Sequence, residues 1–511
     1  MNLSNGYVTD ITYSSGYYVE QSPRLTALVA LLTGQEARMP GPDESFHFLD
    51  IGSGRGFTAL VMAVANPGWT VTGIDFNRAH VADAREMAAR AGIRNCRFIE
   101  ADLADFDHTD LPAVDAVSLH GVWTWVSDAV RAGILRLLER RLVPGGLCHV
   151  SYNLLPGWGG VVGLQRLVRE AGLRLADRAD RQVERGFGVV RHLFGPLGEA
   201  TDERTRAMLQ MLADKPAAYL AHEFMNADWR PCFHADVAAA FSDVGLSYVG
   251  SSRILDSIAE VTLPPAALEV ARQFGDSAMT ELIKDVTLGR PLRHDIYVRG
   301  GRRVAMIPRD SILRGLTLGL ALPYSQRRLG IPSPTGELSM NPAFYEPVFA
   351  RLAQGVASVE ELLSLARPSG ASPASDNPAE LVALLVGTGQ AVLVPAPGRP
   401  MTASARALNG MMFATQVAGT AMTETVAFAV PAQGGGFNLP AAGALAVLRQ
   451  QERRETAAEG RILPPPDRDT IERWAAEAMG DRPEMCTALA TGMESFLRES
   501  RSTLEALGIP C

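Results

Sequence analysis

The chain has 511 residues, is 47% hydrophobic and 20% charged, and carries a net charge of −8. That is a globular composition too long for one hydrophobic core, and its acidic balance argues against a general binder of nucleic acid or anionic membrane, which needs a positive face. The five cysteines include no CxxC pair, which excludes a zinc ribbon or a disulfide framework and suits a reducing compartment.

The N-terminal stretch MNLSNGYVTDITYSSGYY has neither a basic n-region nor an apolar h-region. No apolar run reaches the roughly 18 residues of a membrane span, so the expectation is a soluble cytoplasmic protein. FHFLDI (46–51) reads as a buried strand that runs into a glycine cluster. FTALVMAVANP (57–67) is helical, WTVTGID (69–75) a strand, and RAHVADAREMAARAGI (78–93) a helix stopped by Gly92. CRFIEAD (96–102), AVDAVSLH (113–120) and GLCHVSYN (146–153) are three more strands, the last two separated by a helix. Five strands alternating with helices predict a doubly wound, mostly parallel α/β sheet.

Residues 160–217 read as a helical insertion rich in Arg, Leu and Glu. Strand character returns at 246–254 and 293–300 to complete the sheet. The expected units are therefore 1–159, 160–217, 218–300, 301–400 and 401–511. Within 341–395 the order helix, helix, Ser/Pro/Gly/Ala stretch (368–378), helix, strand resembles a winged helix in an α+β C-terminal region. Its would-be recognition helix, 379–389, contains no Arg or Lys and has nothing to neutralise phosphates with, so a protein-interaction or scaffold role is expected. The 401–511 stretch has no readable role.

The loop LDIGSGRGF (49–57) joins the first strand to the first helix with GxGxG spacing, not the GxGxxG of dinucleotide enzymes. Asp50 precedes it, where a carboxylate suits a cation better than a pyrophosphate. Asp75 ends the second strand, where an acid accepts ribose hydroxyls, and Asp102 closes the third, within reach of an adenine amino group. Three acids and no phosphate-seeking chemistry point to S-adenosyl-L-methionine, a sulfonium cation.

Segment 46–153 resembles the class I S-adenosylmethionine-dependent methyltransferases. The stretches 21–34, HGVWTWV (120–126), SYNLLPGW (151–158), AYLAHEF (218–224) and PLRHDIYVRG (291–300) resemble more narrowly the bacterial enzymes with a methyltransferase regulatory domain, a group that includes rickettsial-type protein-lysine methyltransferases. The resemblance implies a seven-stranded Rossmann-like sheet with its last strand antiparallel. It also implies cofactor contacts at Asp50, Gly52, Gly54, Asp75 and Asp102, to which Ser53, Phe76, Leu103 and His120 are added as neighbours. The chain departs from the group at Trp123-Thr124 and at Gln21-Ser22-Pro23, both on the substrate side.

In this fold the loop after the fourth strand, SLHGVWTWV (118–126), faces the transferred methyl group. It lacks the Asn/Asp-Pro-Pro-aromatic motif of enzymes acting on nucleobases or glutamine, which leaves aliphatic amines, carboxylates and hydroxyls open. His120 is expected as a proton acceptor, a cofactor contact or a packed histidine. If the loop is extended, Trp123 and Trp125 point oppositely; Trp123 is expected on the pocket wall and Trp125 beneath the next helix. Tyr152 and Asn153, with Pro156, Gly157 and Trp158, are expected to border the same cleft, and Tyr7, Tyr13, Tyr17 and Tyr18 to form a lid. His222 and Glu223 re-enter near it. The candidate catalytic residues are thus His120, Trp123, Tyr152 and Tyr18, with no metal ligand. The expected activity is protein-lysine N-methylation. The alternatives are a small-molecule or peptide natural-product N- or O-methyltransferase and a non-catalytic cofactor-binding regulator. A homodimer through 160–217 is expected.

Overall fold

The computed structural model describes residues 16–106, 109–196, 199, 201–213, 215–366, 376–417, 425–456, 465–479 and 483–509. Seven strands make the main sheet: β1 (Phe46–Ile51), β2 (Trp69–Asp75), β3 (Cys96–Glu100), β4 (Val114–Leu119), β5 (Leu142–Asn153), β6 (Leu246–Ser251) and β7 (Leu292–Arg299). Their order is β3-β2-β1-β4-β5-β7-β6. The first five pair in parallel, and β7 lies antiparallel between β5 and β6. The strand order reverses between β1 and β4, and such a switch point opens a crevice beyond the carboxyl ends of the strands.

The helices in the first three fifths of the chain are α1 (Pro23–Leu32), α2 (Phe57–Ala65), α3 (Arg78–Arg90), α4 (Asp128–Arg141), α5 (Val162–Leu175), α6 (Ala179–Phe194), α7 (Glu203–Ala213), α8 (Ala217–Phe224), α9 (His234–Ser242), α10 (Ala259–Thr262), α11 (Pro265–Phe274) and α12 (Ser277–Leu288). β1 is buried at every position, as a parallel strand covered on both faces must be. Side-chain caps fix two helix starts at the sheet's carboxyl edge: Asn77 accepts from the Ala79 and His80 amides, and Ser127 from the Val130 amide.

Strand alternation divides the core. Leu49, Ile51, Tyr152 and Tyr297 point toward α4 and α9. Phe46, Phe48 and Trp69 point toward α2 and α3, and that layer continues without interruption into the C-terminal region through Phe428, Leu445, Trp474 and Met493. The described part of 401–509 thus packs against α2 and α3, the helices that cover this face of the sheet. Arg24 ties the two together, donating to the carbonyls of Pro40 (2.8 Å) and Gly434 (2.9 Å) and to Asn66 Oδ1 (2.7 Å). Gly434 sits at φ 59°, and a Cβ there would lie 2.0 Å from Arg24 Nη1, so the joint needs glycine.

The middle region builds a small antiparallel sheet, Ala357–Ser358, Thr317–Leu320 and Ala391–Leu393, with helices Pro342–Leu352, Val359–Ala366 and Pro378–Gly387. These are the elements the winged-helix-like reading calls for; residues 368–375 of its Ser/Pro stretch lie outside the described residues. It shares a core with α1 and β7 through Leu28, Ile296, Leu318, Phe349 and Leu381. Helices α5–α8 form a further core with Trp125, Trp158 and Trp229. Among the described residues no helix is long and apolar enough to cross a membrane.

A buried ionic network locks α12 to β7. Arg293 reaches Glu281 (2.6 Å), Asp285 (2.8 Å) and Asp295 (2.8 Å), and Lys284 joins Glu281 at 2.7 Å. Burial pushes the Asp295 carboxyl up, but Arg293, His234 and the Tyr152 hydroxyl outweigh it and hold the group well below the usual carboxylate range.

Candidate active site

A cavity of about 700 Å³ opens at the carboxyl ends of β1, β2, β4 and β5, within the size range of cofactor sites. All the residues expected to contact the cofactor line it: Asp50, Gly52, Ser53, Gly54, Asp75, Phe76, Asp102, Leu103 and His120. The loop after β1 gives them their arrangement. Gly54 has φ 53°, its amide donates to Asp75 Oδ2 at 2.8 Å, and nothing lies within 4 Å of where a Cβ would be. The backbone is therefore open to a ligand at that point. The Asn77 amide holds the other Asp75 oxygen at 2.8 Å, so the carboxylate is aimed before any ligand arrives. Burial raises the Asp75 carboxyl above its ordinary value, opposed by the Asn77 and Gly54 amides and by His80.

Asp50 is buried at the end of β1. Burial, reinforced by the charge of Asp75 and opposed by a hydrogen bond from Gln21, pushes its carboxyl up to about 7. Two carboxyls short of their solvation in one cavity favour a cationic guest, and that is the charge of the sulfonium cofactor. A buried polar chain leads away from Asp50. Gln21 Nε2 donates to Asp50 (3.2 Å) and to Ser118 Oγ (3.0 Å), and its Oε1 accepts from Thr58 (2.8 Å). Sequence reasoning placed Gln21 only in a divergent stretch and missed Thr58 and Ser118; a polar residue at the start of an apolar helix was the available signal.

The cavity composition matches the comparisons with known proteins. Residues 42–157 match the methyltransferase domain family, and residues 216–299 match the family described as a predicted methyltransferase regulatory domain. The chain is an S-adenosylmethionine-dependent methyltransferase. An uncharacterized protein of Synechocystis sp. is 27% identical over 374 residues, 72% of this methyltransferase and 73% of that protein. An uncharacterized protein of Rickettsia prowazekii is 24% identical over 302 residues; the match covers 56% of this chain and about half, 51%, of the relative's length. In fold the methyltransferase is similar to PKMT2 from Rickettsia typhi, with a TM-score of 0.67 over 96% of this chain and 99% of that one at 17% identity. A second structure of that protein is a complex with AdoHcy, at the same TM-score of 0.67.

Two of the expected catalytic residues lie elsewhere than the sequence suggested. Trp123 does not line the cavity. Residues Trp123–Trp125 form a 3₁₀ turn, not an extended loop. Trp123 is carried into the core, edge-on to Phe241 at 5.2 Å and under the Arg131 guanidinium at 5.3 Å. It is Trp125 that reaches the cavity wall. Tyr152 is also displaced, by strand alternation: Ser151 and Asn153 line the cavity, whereas Tyr152 between them points through the sheet, donating to Asp295 at 2.5 Å with His234 at 3.3 Å. It anchors the ionic network.

Of the proposed lid, Tyr18 lines the cavity and stacks on His120 with ring centroids 4.1 Å apart. Tyr17 is buried against an antiparallel pair of strands, Thr425–Val430 and Gly435–Pro440, its carbonyl accepting from Asn438 at 2.8 Å. Tyr7 and Tyr13 lie outside the described residues. Burial, aided by Arg253, lowers His120 to about 4, so the ring is neutral at physiological pH and is a poor base there.

His222 and Glu223, at the end of α8, line the cavity together with Tyr219. Burial pushes the Glu223 carboxyl up to about 7, with Asn153 opposing through a hydrogen bond. Tyr18 and Tyr219 are raised by burial and also by the charge of Glu223, which places the three together. Arg253, Asp256 and Arg290, from the regulatory-domain match, complete this side; Arg290 and Asp256 pair at 3.1 Å.

Proposed function

We propose that this enzyme transfers the methyl group to the side-chain amine of lysine in a protein substrate. The observation that carries the reading is Glu223: a buried carboxyl poised near neutral pH, beside Tyr18 and Tyr219, on a wall completed by Trp125 and Trp158. An ammonium entering this space meets aromatic faces and one carboxylate. Each aromatic contact contributes about 0.5–2 kcal/mol by cation–π attraction. The amine must lose a proton before its lone pair can attack, and a carboxylate whose conjugate acid titrates near 7 is matched to accept it. When bound, S-adenosylmethionine supplies an electrophilic methyl on sulfur. Asp50, Asp75 and Asp102 hold and orient it, and the tryptophan walls exclude water that would solvate the amine.

The similarity of fold to PKMT2 over 96% of the chain supports the same reading, because the match extends over the appended regions as well as the sheet. Incubation with methyl-labelled cofactor and a bacterial lysate, followed by size fractionation, tests it. Label in macromolecules that is lost on protease digestion is expected. Label confined to small molecules would replace the protein acceptor with a metabolite, and label in nuclease-sensitive material would overturn the proposal outright.

A further inference from the structure

Behind the cavity wall, three histidines from three strands meet on the sheet face that carries Ser151. His120 follows β4, His149 lies in β5 and His294 in β7, and in the antiparallel register His294 is directly opposite Ser151. Because Ser151 is small, the flanking rings lean over it. The ring centroids are 6.0 Å (His120–His149), 5.6 Å (His120–His294) and 5.7 Å (His149–His294) apart, a nearly equilateral triangle. One nitrogen from each ring lies within 4.8 Å of the others. We propose that His120, His149 and His294 form a binding site for a divalent transition-metal ion of the zinc or cobalt class.

The geometry is close to what such an ion requires. His149 Nε2 and His294 Nδ1 are 3.4 Å apart, the separation of two nitrogens that share a tetrahedral ion at ~2.0–2.1 Å each. Two of the rings already carry outer support. Ser118 Oγ lies 3.1 Å from His149 Nδ1 and Ser151 Oγ 3.2 Å from His120 Nδ1, which leaves Nε2 of each to ligate. Hydroxyl or carboxylate partners of this kind fix ring orientation in metal sites. The third ring, His294, is 3% exposed and offers Nδ1, the nitrogen beside His149 Nε2; its Nε2 is buried with no hydrogen-bond partner among the described residues.

An all-imidazole set favours zinc, cobalt, nickel or copper over magnesium and calcium, which take oxygen. Of the three ligands only His120 lines the cavity. A fourth ligand would therefore come from the cavity side, the open position typical of sites that act on a bound molecule.

The test is metal binding itself, with no dependence on turnover. Chelator-treated full-length protein is titrated with Zn²⁺ and, separately, with Co²⁺, whose visible absorption reports coordination by nitrogen. One ion per chain is expected, with the absorption of a nitrogen-ligated four- or five-coordinate Co²⁺. His149→Asn and His294→Gln, which retain polar side chains, should each abolish saturable binding. Ser118→Ala should weaken it about 10–100-fold, and the exposed His192→Ala should leave it unchanged. Circular dichroism of each variant separates lost binding from lost fold, and Ser118→Ala, which keeps all three ligands, remains informative if the histidine variants do not fold. No saturable binding by the wild-type protein would overturn the site, as would binding that survives folded His149→Asn and His294→Gln.

Discussion

Replacing Glu223 by glutamine separates the cost of a buried acid from its use. The side chain is nearly isosteric, so packing in the α8 wall is retained. Raising a carboxyl from an ordinary 4.5 to about 7 corresponds to about 3 kcal/mol against the ionised form in the folded protein. The folded state therefore holds this proton more tightly than the unfolded chain does. Stability contributed by the protonated group is fully present below pH 4.5 and declines as pH rises to 7, where the whole penalty is reached. Glu223→Gln removes the titration. Thermal unfolding should show the variant and the wild type alike near pH 4.5, with the variant progressively more stable toward pH 8, up to the equivalent of about 3 kcal/mol. Methyl transfer should move the other way. The wild-type rate should rise with pH through about 7 as the carboxylate forms, and the variant should lose that limb along with about 10²–10⁴-fold of activity, the usual contribution of a positioned base. A variant that is no more stable at pH 8 than at pH 4.5, relative to the wild type, would refute the burial argument. A variant with full activity and an unchanged pH profile would refute the base.

Asp50 makes the binding of a cationic cofactor depend on pH. Its carboxyl titrates near 7, so affinity for S-adenosylmethionine in isothermal titration should be constant above that value and fall by up to about tenfold per pH unit below it; Asp50→Asn should flatten the curve. Asp75→Ala removes the acceptor that Gly54 and Asn77 hold in place and should weaken binding by at least tenfold. Trp125→Ala removes a side chain that both lines the cavity and packs in the α5–α8 core, and should lower turnover as well as stability. Trp123→Ala should destabilise by about 3–5 kcal/mol, as truncation of a core aromatic does, with the smaller loss of turnover in the folded protein; a larger loss of turnover for Trp123→Ala than for Trp125→Ala would contradict their placement. Arg293→Ala leaves Glu281, Asp285 and Asp295 without their shared partner and should cost about 3–5 kcal/mol, measured by denaturant unfolding.

The sheet was legible because β1, β2 and β4 are short, mostly apolar runs that end at a glycine loop or an acid, and because Gly54, Asp75 and Asp102 fall at the carboxyl ends where the fold puts ligands. Side-chain direction after β4 was not. The same five letters, GVWTW, suit an extended loop or a 3₁₀ turn, and only the turn that forms sends Trp123 to Phe241 and Trp125 to the cavity. Tyr152 failed for a simpler reason: a strand end next to a cleft offers alternate residues only, and the register with β7 selects Ser151 and Asn153. The histidine triad was hidden by distance along the chain, since His120, His149 and His294 converge only through the β4-β5-β7 neighbourhood. Likewise, 401–509 carried no motif. Its relation to the sheet rests on apolar packing by residues such as Phe428 and on one glycine carbonyl met by Arg24.

The chemical identity of the methylated atom bears most directly on the proposed reaction. Protein labelled by the enzyme with methyl-tagged cofactor is hydrolysed in acid and its amino acids are resolved by mass spectrometry. A lysine side-chain amine acceptor predicts the label in mono-, di- or trimethyl-lysine, stable to mild base, and greatly reduced with Glu223→Gln. Label released by base as a methyl ester, or recovered on a residue other than lysine, would contradict it.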